Sequence, residues 1–165
     1  MKKLFICMLG IMVILGIAAS GCAKKSSKAG SSSLSSEDIP LDETNINFTD
    51  ASHIPALAED IHFDYNKSSI REDAKPILKG VAGYLNKHPN KHVMIEGHCD
   101  NRGSKEYNLA LGEQRALSAR RYIVNLGIEP KRLHTISYGE ENPIATGNSE
   151  AAHAKNRRGH FLISQ

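Results

Sequence analysis

Residues 97–115 read GHCDNRGSKEYNLALGEQR, and this stretch carries most of the information in the chain. It begins at the end of an apolar, strand-like run, so that Asp100 opens the loop that follows. A helix comes next, on which Asn108, Leu111 and Arg115 recur at spacings of three and four residues and therefore share one face. The order predicts a carboxylate, an amide and a guanidinium gathered at one end of a strand. Such a set can bind a small zwitterion.

Residue types alone leave two interpretations of each of these side chains open. Asp100 and Arg115 either pair with each other or hold a ligand between them. Asn108 is either an amide on the helix surface or a ligand contact, and Leu111 either packs in the core or lines a pocket. We favour binding, because the whole stretch brings both charges and the amide to one place.

Catalysis and metal binding are the alternative chemistries. A thiol enzyme built on Cys99 needs a base beside it in space, yet His98 and Asp100 are its neighbours on a strand and point to the opposite face. The eight histidines show no paired metal-ligand spacing such as H-x-x-x-H within one predicted helix. We therefore expect no enzyme activity, no metal and no cofactor, and we expect Cys99 to be a packed, inert thiol.

Residues 1–21 have the pattern of an export signal. Two lysines precede an uncharged, mostly apolar stretch over 4–19. The tetrad Ala19–Cys22 resembles the bacterial lipobox, which implies cleavage before Cys22 and acylation of that cysteine, and Ala23 is typical of lipoproteins sorted to the outer membrane. The alternative is an uncleaved membrane anchor, since the apolar stretch is nearly long enough to span a bilayer.

Residues 22–50 are expected to form the lipidated N-terminus and a flexible tether. Serine and lysine dominate 23–36, and 37–50 is acidic and polar with no regular element expected. The remaining residues, 51–165, suffice for one domain of ordinary size. Loss of 1–21 removes two lysines and leaves 19 basic and 18 acidic side chains, a balance that gives no reason to expect nucleic acid as a partner.

The domain shows alternating strand and helix patterns. Ser69 and Glu72 have the spacing of a helix start, and Pro76 fits a first turn. The predicted elements are a strand over 60–65, a helix from about 69 to 87, a strand over 92–97, a helix over 105–126, and strands over 133–138 and 159–164. This βαβαββ order predicts an α/β sandwich with two main helices packed on one face of a mixed four-stranded sheet.

Five segments of the domain resemble OmpA-like peptidoglycan-binding domains, and among these the Tol-associated lipoproteins. They are FDY at 63–65, GHCDNRG at 97–103, EYNLALGEQRA at 106–116, SYGE at 137–140 and AKNRR at 154–158. The chain departs from the family pattern at Cys99, where Thr or Ala is usual, and at Asn66, where an acid is more frequent. The resemblance implies the OmpA-like fold and non-covalent capture of the peptide stem of peptidoglycan through its diaminopimelate residue.

The resemblance also implies a role for each residue of the central stretch. Asp100 receives the ligand ammonium, Arg115 forks onto the carboxylate, Asn108 adds hydrogen bonds and Leu111 packs against the aliphatic stem. We expect substitution of Asp100 or Arg115 to abolish binding with little effect on thermal stability.

Three further contacts follow from the same resemblance: Phe63 and Asp64, through their backbone groups, and Arg158 at the edge of the pocket. The implied partners are peptidoglycan, the outer membrane through the lipid, and the Tol complex with its periplasmic propeller protein, acting in envelope integrity and cell division. A periplasmic lipoprotein that anchors another envelope or secretion assembly to the wall is the alternative.

Overall fold

The computed structural model describes residues 46–165. The strands are β1 (Phe48–Asp50), β2 (Ile61–His62), β3 (Val93–His98), β4 (Leu133–Gly139) and β5 (Arg158–Ser164). The helices are α1 (Ala74–Lys87), α2 (Lys105–Asn125) and α3 (Glu150–Asn156), with a 3₁₀ turn at Pro130–Arg132. None of these helices is long and apolar enough to cross a bilayer. The predicted signal peptide, Cys22 and most of the predicted tether lie outside the described residues.

The five strands form one mixed sheet in the order β1-β5-β3-β4, with β2 pairing to β5 beside this path. β3 runs parallel to β4 and antiparallel to β5. β1 pairs with Leu162–Ser164 and β2 with Arg158–Gly159, so the two short strands share β5 as their partner. This arrangement brings the end of β2, the end of β3 and the start of β5 together.

A single hydrophobic cluster packs α1 and α2 on the same face of the sheet. Leu78, Val81 and Leu85 of α1 belong to the same fully buried cluster as Ile123 of α2 and Phe161 of β5. Leu78, Val81 and Leu85 recur at helical spacing, which explains why this segment forms an amphipathic helix. Removing a buried leucine of this kind costs roughly 2–5 kcal/mol. The cluster therefore supplies most of the stability of the fold.

Two glycines let α2 lie directly on β3. A Cβ atom added to Gly97 of β3 would stand 1.9 Å from the carbonyl oxygen of Gly112 in α2, and one added to Gly112 would stand 2.2 Å from Ser137 Oγ. Backbone thus meets backbone at this crossing. Because the helix approaches so closely, Asn108 and Arg115 on either side of Gly112 lie at the end of β3.

The α/β fold, with both long helices on one face of a mixed sheet, is confirmed. α2 begins at Lys105 behind Ser104, whose Oγ accepts a hydrogen bond from the backbone N–H of Tyr107 at 3.2 Å. α1 begins at Ala74 rather than near Ser69, because Asp73 is the N-cap residue and the preceding residues form turns.

The predicted number of strands, four, is wrong, and so is the absence of regular structure over 37–50. Phe48–Asp50 adds a fifth strand by pairing with the far end of the chain. The predicted strand over 60–65 shortens to Ile61–His62, and α3 was not predicted. β1 depends on its pairing with β5, and α3 depends on contacts with the loop that precedes it. No local sequence pattern reveals either set of contacts.

Candidate functional site

A small pocket lies where the end of β3, the first half of α2 and the loop after β2 meet. Its volume is about 20 Å³, room for about one water molecule. The pocket is lined by Tyr65, Asn66, Cys99, Asp100, Arg102, Tyr107, Asn108, Leu111, Arg115 and Arg157. All four residues of the central sequence stretch that were predicted to form a site are therefore brought together.

Asp100 lies directly beyond β3 and is almost fully buried. Its Oδ2 accepts hydrogen bonds from Arg102 Nη2 at 2.6 Å and Arg157 Nη1 at 3.1 Å, and its Oδ1 accepts one from the backbone N–H of Arg102 at 3.2 Å. Burial acts to raise the pKa of the Asp100 carboxyl, but the hydrogen bonds from the two arginines outweigh it and the pKa lies below its usual value. Asp100 is therefore an anion at neutral pH.

Arg115 projects from α2 and is only 1% exposed. Its Nε donates to Lys67 O at 3.0 Å, its Nη1 to His98 O at 2.7 Å and to Cys99 Sγ at 3.2 Å, and its Nη2 to Asp64 O at 3.3 Å. Burial lowers the pKa of the guanidinium, which stays charged at neutral pH. Four acceptors within the described range engage four of its five N–H groups, so one remains for a ligand. The free N–H is on Nη2, so the predicted two-bond fork from Arg115 also needs a contact of Nε or Nη1 to open.

The structure places both Asn108 and Leu111 at the pocket, and their role toward a ligand stays a prediction. Asn108 is buried, and its Nδ2 donates to Asp100 O at 3.2 Å and to Glu140 Oε2 at 2.7 Å. Leu111 lines the pocket and does not belong to the buried core cluster. Both residues therefore face the pocket.

Phe63 and Asp64 contribute backbone groups, as the resemblance implied, but these groups hold the arginines. The carbonyl oxygen of Phe63 accepts from Arg157 Nε at 3.0 Å, and that of Asp64 accepts from Arg115 Nη2. The Phe63 ring is buried in the core, 5.2 Å from the guanidinium carbon of Arg115. The Asp64 carboxylate instead faces outward, 3.3 Å from Lys67 Nζ.

Arg158 does not lie at the edge of the pocket, and its predicted place there is wrong. Its Nε lies 3.3 Å from Asp60 Oδ2, and its Nη2 donates to Asn142 O at 3.3 Å. Arg157 lines the pocket instead, with its Nη1 on Asp100. Neighbouring residues of a strand point to opposite faces, and the odd-numbered residues of β5 face the helices, so alternation along the strand was the signal for Arg157.

Comparison with known proteins adds the family. Residues 62–157 match the model of the OmpA family.

The chain belongs to the OmpA family. Among its relatives is the peptidoglycan-associated lipoprotein of Rhizobium meliloti (strain 1021), which is 36% identical over 156 residues, covering 90% of this chain and 82% of that protein. Another, from Haemophilus influenzae, is 43% identical over 98 residues, which cover 59% of this chain and 64% of the relative.

Solved structures agree with this OmpA-family assignment. The crystal structure of the peptidoglycan-associated lipoprotein from Burkholderia pseudomallei matches with a TM-score of 0.63 and 40% identity, over 67% of this chain and 93% of that one. The C-terminal domain of Helicobacter pylori MotB matches with a TM-score of 0.60 and 25% identity, over 65% and 84% of the two chains.

In this OmpA-family chain a ring of four charges covers the Asp100 side of the pocket. Arg157 Nη2 lies 2.9 Å from Glu150 Oε1, and Arg102 Nη1 lies 3.2 Å from Glu150 Oε2, while both arginines also bond Asp100. The Arg102 guanidinium carbon also lies 4.0 Å from the centroid of the Tyr65 ring. The sequence analysis did not predict three members of this ring, Arg102, Arg157 and Glu150, as site residues. Glu150 was missed because the short helix that carries it was not predicted.

Cys99 forms part of the pocket floor. Its thiol donates to Asn108 O at 3.2 Å and accepts from Arg115 Nη1. Burial raises the pKa of Cys99 to about 11. A protonated, buried thiol of this kind is a poor nucleophile, so Cys99 packs against the binding residues and holds Arg115 in place.

Proposed function

We propose that this protein binds peptidoglycan non-covalently by holding the free end of diaminopimelate in the pocket between Asp100 and Arg115. Asp100 and Arg115 line this pocket without pairing with each other: within the described region Asp100 pairs with Arg102 and Arg157, and no ion pair joins it to Arg115. This observation carries most of the weight. Relatives that cover most of the chain are named peptidoglycan-associated lipoproteins, which supports the same assignment.

The chemistry of the ligand fits the two charged residues. Diaminopimelate ends in an ammonium and a carboxylate on one carbon, so one ligand end offers a partner to Asp100 and another to Arg115. Asn108 lines the same pocket, and Leu111 offers an apolar wall for the methylene chain. Hydrogen bonds to charged groups contribute roughly 1.5–3 kcal/mol each. Two such bonds give roughly 3–6 kcal/mol, so micromolar affinity, about 8 kcal/mol, also needs the contacts of the neighbouring pocket residues.

We further propose that the protein is anchored to the outer membrane by lipid on Cys22, after removal of residues 1–21. Because β1 begins at Phe48, the proposed tether spans 22–47, and a flexible coil of that length has a dimension of about 30 Å, enough to hold the domain clear of the membrane. Many weak contacts along one wall polymer then act together, so micromolar single-site affinity suffices to join membrane and wall. Mass spectrometry of the mature N-terminus tests this: an unmodified N-terminus, or a retained signal, contradicts the anchor.

Tol components are the proposed protein partners, with a role in drawing the outer membrane inward during division. We expect the Tol propeller protein to bind over the same region as peptidoglycan, so that the two compete. Retention on purified sacculi should fall as that protein is added. Undiminished retention would contradict competition, and copurification with a different envelope assembly would favour the alternative partner.

The binding site is tested with purified sacculi and residues 22–165 carrying Cys22→Ser. Asp100→Asn keeps the size of the side chain but removes its charge, and we expect sacculus retention to fall at least about tenfold. Asp73→Asn, on an exposed carboxylate at the start of α1, is the matched control and should bind like the parent. A stem tripeptide ending in diaminopimelate should compete, whereas its lysine counterpart, which lacks the distal carboxylate, should not. Equal competition by both peptides would contradict the assignment.

A further inference from the structure

We propose that Arg102 is an exchangeable lid on the ammonium site: its guanidinium covers the Asp100 carboxylate, and ligand binding replaces this internal cation with the ligand's own. The inference rests on the proposed function, because it concerns how the same pocket admits its ligand. It adds a residue that decides which ligands can enter.

The hydrogen-bonding capacity of Asp100 is largely occupied. Two guanidinium groups reach Oδ2, from Arg102 at 2.6 Å and Arg157 at 3.1 Å, and the backbone N–H of Arg102 reaches Oδ1. A carboxylate has about four acceptor positions. Three of them are taken, so an ammonium of the ligand finds about one free position on Asp100 until one of the two guanidinium groups moves away.

The size of the pocket leads to the same requirement. A volume of about 20 Å³ holds about one water molecule, whereas the ligand end consists of an ammonium, a carboxylate and the carbon that joins them. A side chain must therefore move to make room for the ligand, and it must be one that lines the pocket and can reach solvent without crossing the core.

Arg102 can move at low cost, and Arg157 cannot. The Arg157 side chain is 8% exposed and bonds Asp100, Glu150 and the carbonyl of Phe63, which would lose its donor. The Arg102 side chain is 34% exposed and rests on the outward-facing Tyr65 ring.

Further features favour the departure of Arg102. Its Nε is buried without a hydrogen-bond partner among residues 46–165, so rotation toward solvent gives this atom water. Its second ion-pair partner, Glu150, is itself exposed and can follow it outward. The next residue, Gly103, has φ +119°, so the loop that carries Arg102 turns directly after it.

The exchange of one cation for another makes the pocket selective. When the ligand brings a free ammonium, the negative charge of Asp100 keeps two cationic neighbours. When the distal amine is acylated, displacement of Arg102 leaves Asp100 with only Arg157, in a site where burial penalises the charge. Ligands with a free, charged distal amine therefore bind, and ligands whose distal amine is acylated and uncharged are rejected.

The test uses residues 22–165 with Cys22→Ser and a fluorescently labelled stem tripeptide ending in diaminopimelate, followed by anisotropy. Arg102→Met keeps an unbranched stem for Tyr65 but removes the competing charge. We expect it to bind the peptide about tenfold more tightly, as when a competent state populated at about 10% becomes dominant. Arg102→Lys retains a competing cation and should stay within about threefold of the parent. Arg121→Met, an exposed arginine of α2, is the matched control and should leave affinity unchanged.

A second peptide, acetylated on the distal amine, distinguishes two explanations of a gain in affinity. One is replacement of the Arg102 charge by the ligand ammonium, and the other is simple removal of a side chain that blocks the pocket. The gain in affinity of Arg102→Met should appear only for the peptide with the free amine. A similar gain for both peptides contradicts the lid proposal, and so does unchanged or weaker binding of the peptide with the free amine. Thermal melting establishes that each variant is folded at the assay temperature. If the parent protein itself does not bind the free peptide, the proposed function fails rather than the lid alone.

Discussion

The carboxylate of Asp100 and the guanidinium of Arg157 form a buried ion pair, with 3.1 Å between Oδ2 and Nη1. The pair joins the end of β3 to the residue just before β5, two strands that are neighbours in the sheet. It also leaves Arg115 free of a carboxylate partner in the described region, held by backbone carbonyls and a thiol. Asp100 and Arg115 therefore lie in the same pocket without an ion pair between them.

Arg157→Met should lower the free energy of unfolding by about 3–5 kcal/mol, because loss of one partner leaves the Asp100 charge poorly compensated in a buried site. The carbonyl of Phe63 loses its donor in the same variant. Urea unfolding followed by circular dichroism measures the change. The control Arg121→Met, on the exposed side of α2, should stay within about 0.5 kcal/mol of the parent. A loss below about 1 kcal/mol in Arg157→Met would show that the pair is not a structural contact.

Arg115→Ala should also destabilise the protein, contrary to the expectation from the sequence. Its guanidinium satisfies the carbonyls of Asp64, Lys67 and His98, of which the His98 bond is buried and the other two are partly buried. A buried acceptor left without a donor costs about 1–3 kcal/mol. We expect a loss of at least about 2 kcal/mol in urea unfolding. Arg115→Lys should recover part of it, since an ammonium can still donate to one or two of these oxygens. A melting temperature within a few degrees of the parent for Arg115→Ala would instead restore the original expectation.

Gly97→Ala should disrupt both folding and binding. The new Cβ would stand 1.9 Å from Gly112 O, a distance that only movement of α2 can relieve, and α2 carries the binding residues. Gly83→Ala is the matched control, because a Cβ there meets nothing within 4 Å and lies inside α1. Alanine in a helix interior is favoured over glycine by about 0.5–1 kcal/mol. Thermal melting should therefore show a large decrease for the first variant and a small increase for the second. Similar melting temperatures for both would contradict the tight crossing.

Long periodic elements of the fold were predictable because their signals are local. The apolar stripe of α1 and the alternation in β3 follow from the spacing of residues that lie next to each other in sequence. β1 has three residues, and its partners on β5 lie more than 100 residues away in the chain. α3 has seven residues, fewer than two full helical turns. Elements of this size depend on tertiary contacts rather than on propensity.

The candidate site shows the same division. Asp100, Asn108, Leu111 and Arg115 were predictable because one strand end and one helix face place them together. The sequence assigned Arg158 to the pocket, whereas Arg157 lines it. The resemblance includes both arginines, and only the alternation of side chains along the strand distinguishes them. Two of the three backbone carbonyls that hold Arg115, those of Asp64 and Lys67, come from the loop after β2, and no residue type encodes such an acceptor.

The ion pair between His160 and Asp60 on the other face of the sheet should make stability depend on pH. His160 Nδ1 lies 2.7 Å from Asp60 Oδ1, and this hydrogen bond raises the pKa of His160 above its ordinary value of about 6.5. Glu96 on β3 and Asp50 on β1 add favourable charge, while Arg158 shares the Asp60 carboxylate. Because the folded state holds the proton more tightly, the stabilisation is fully present below about pH 6.5 and is lost as pH rises through the raised pKa.

The free energy of unfolding of the parent and of His160→Gln should therefore differ more at about pH 5.5 than at about pH 8.5. His134 supplies a control of opposite sign: burial, with the nearby His92, lowers its pKa, so its neutral form is favoured in the folded state. The parent should lose stability relative to His134→Gln as pH falls from about 6.5 through the lowered pKa. Urea titrations at several pH values give both differences. If the difference for His160→Gln does not change with pH, the proton on His160 makes no contribution to folding.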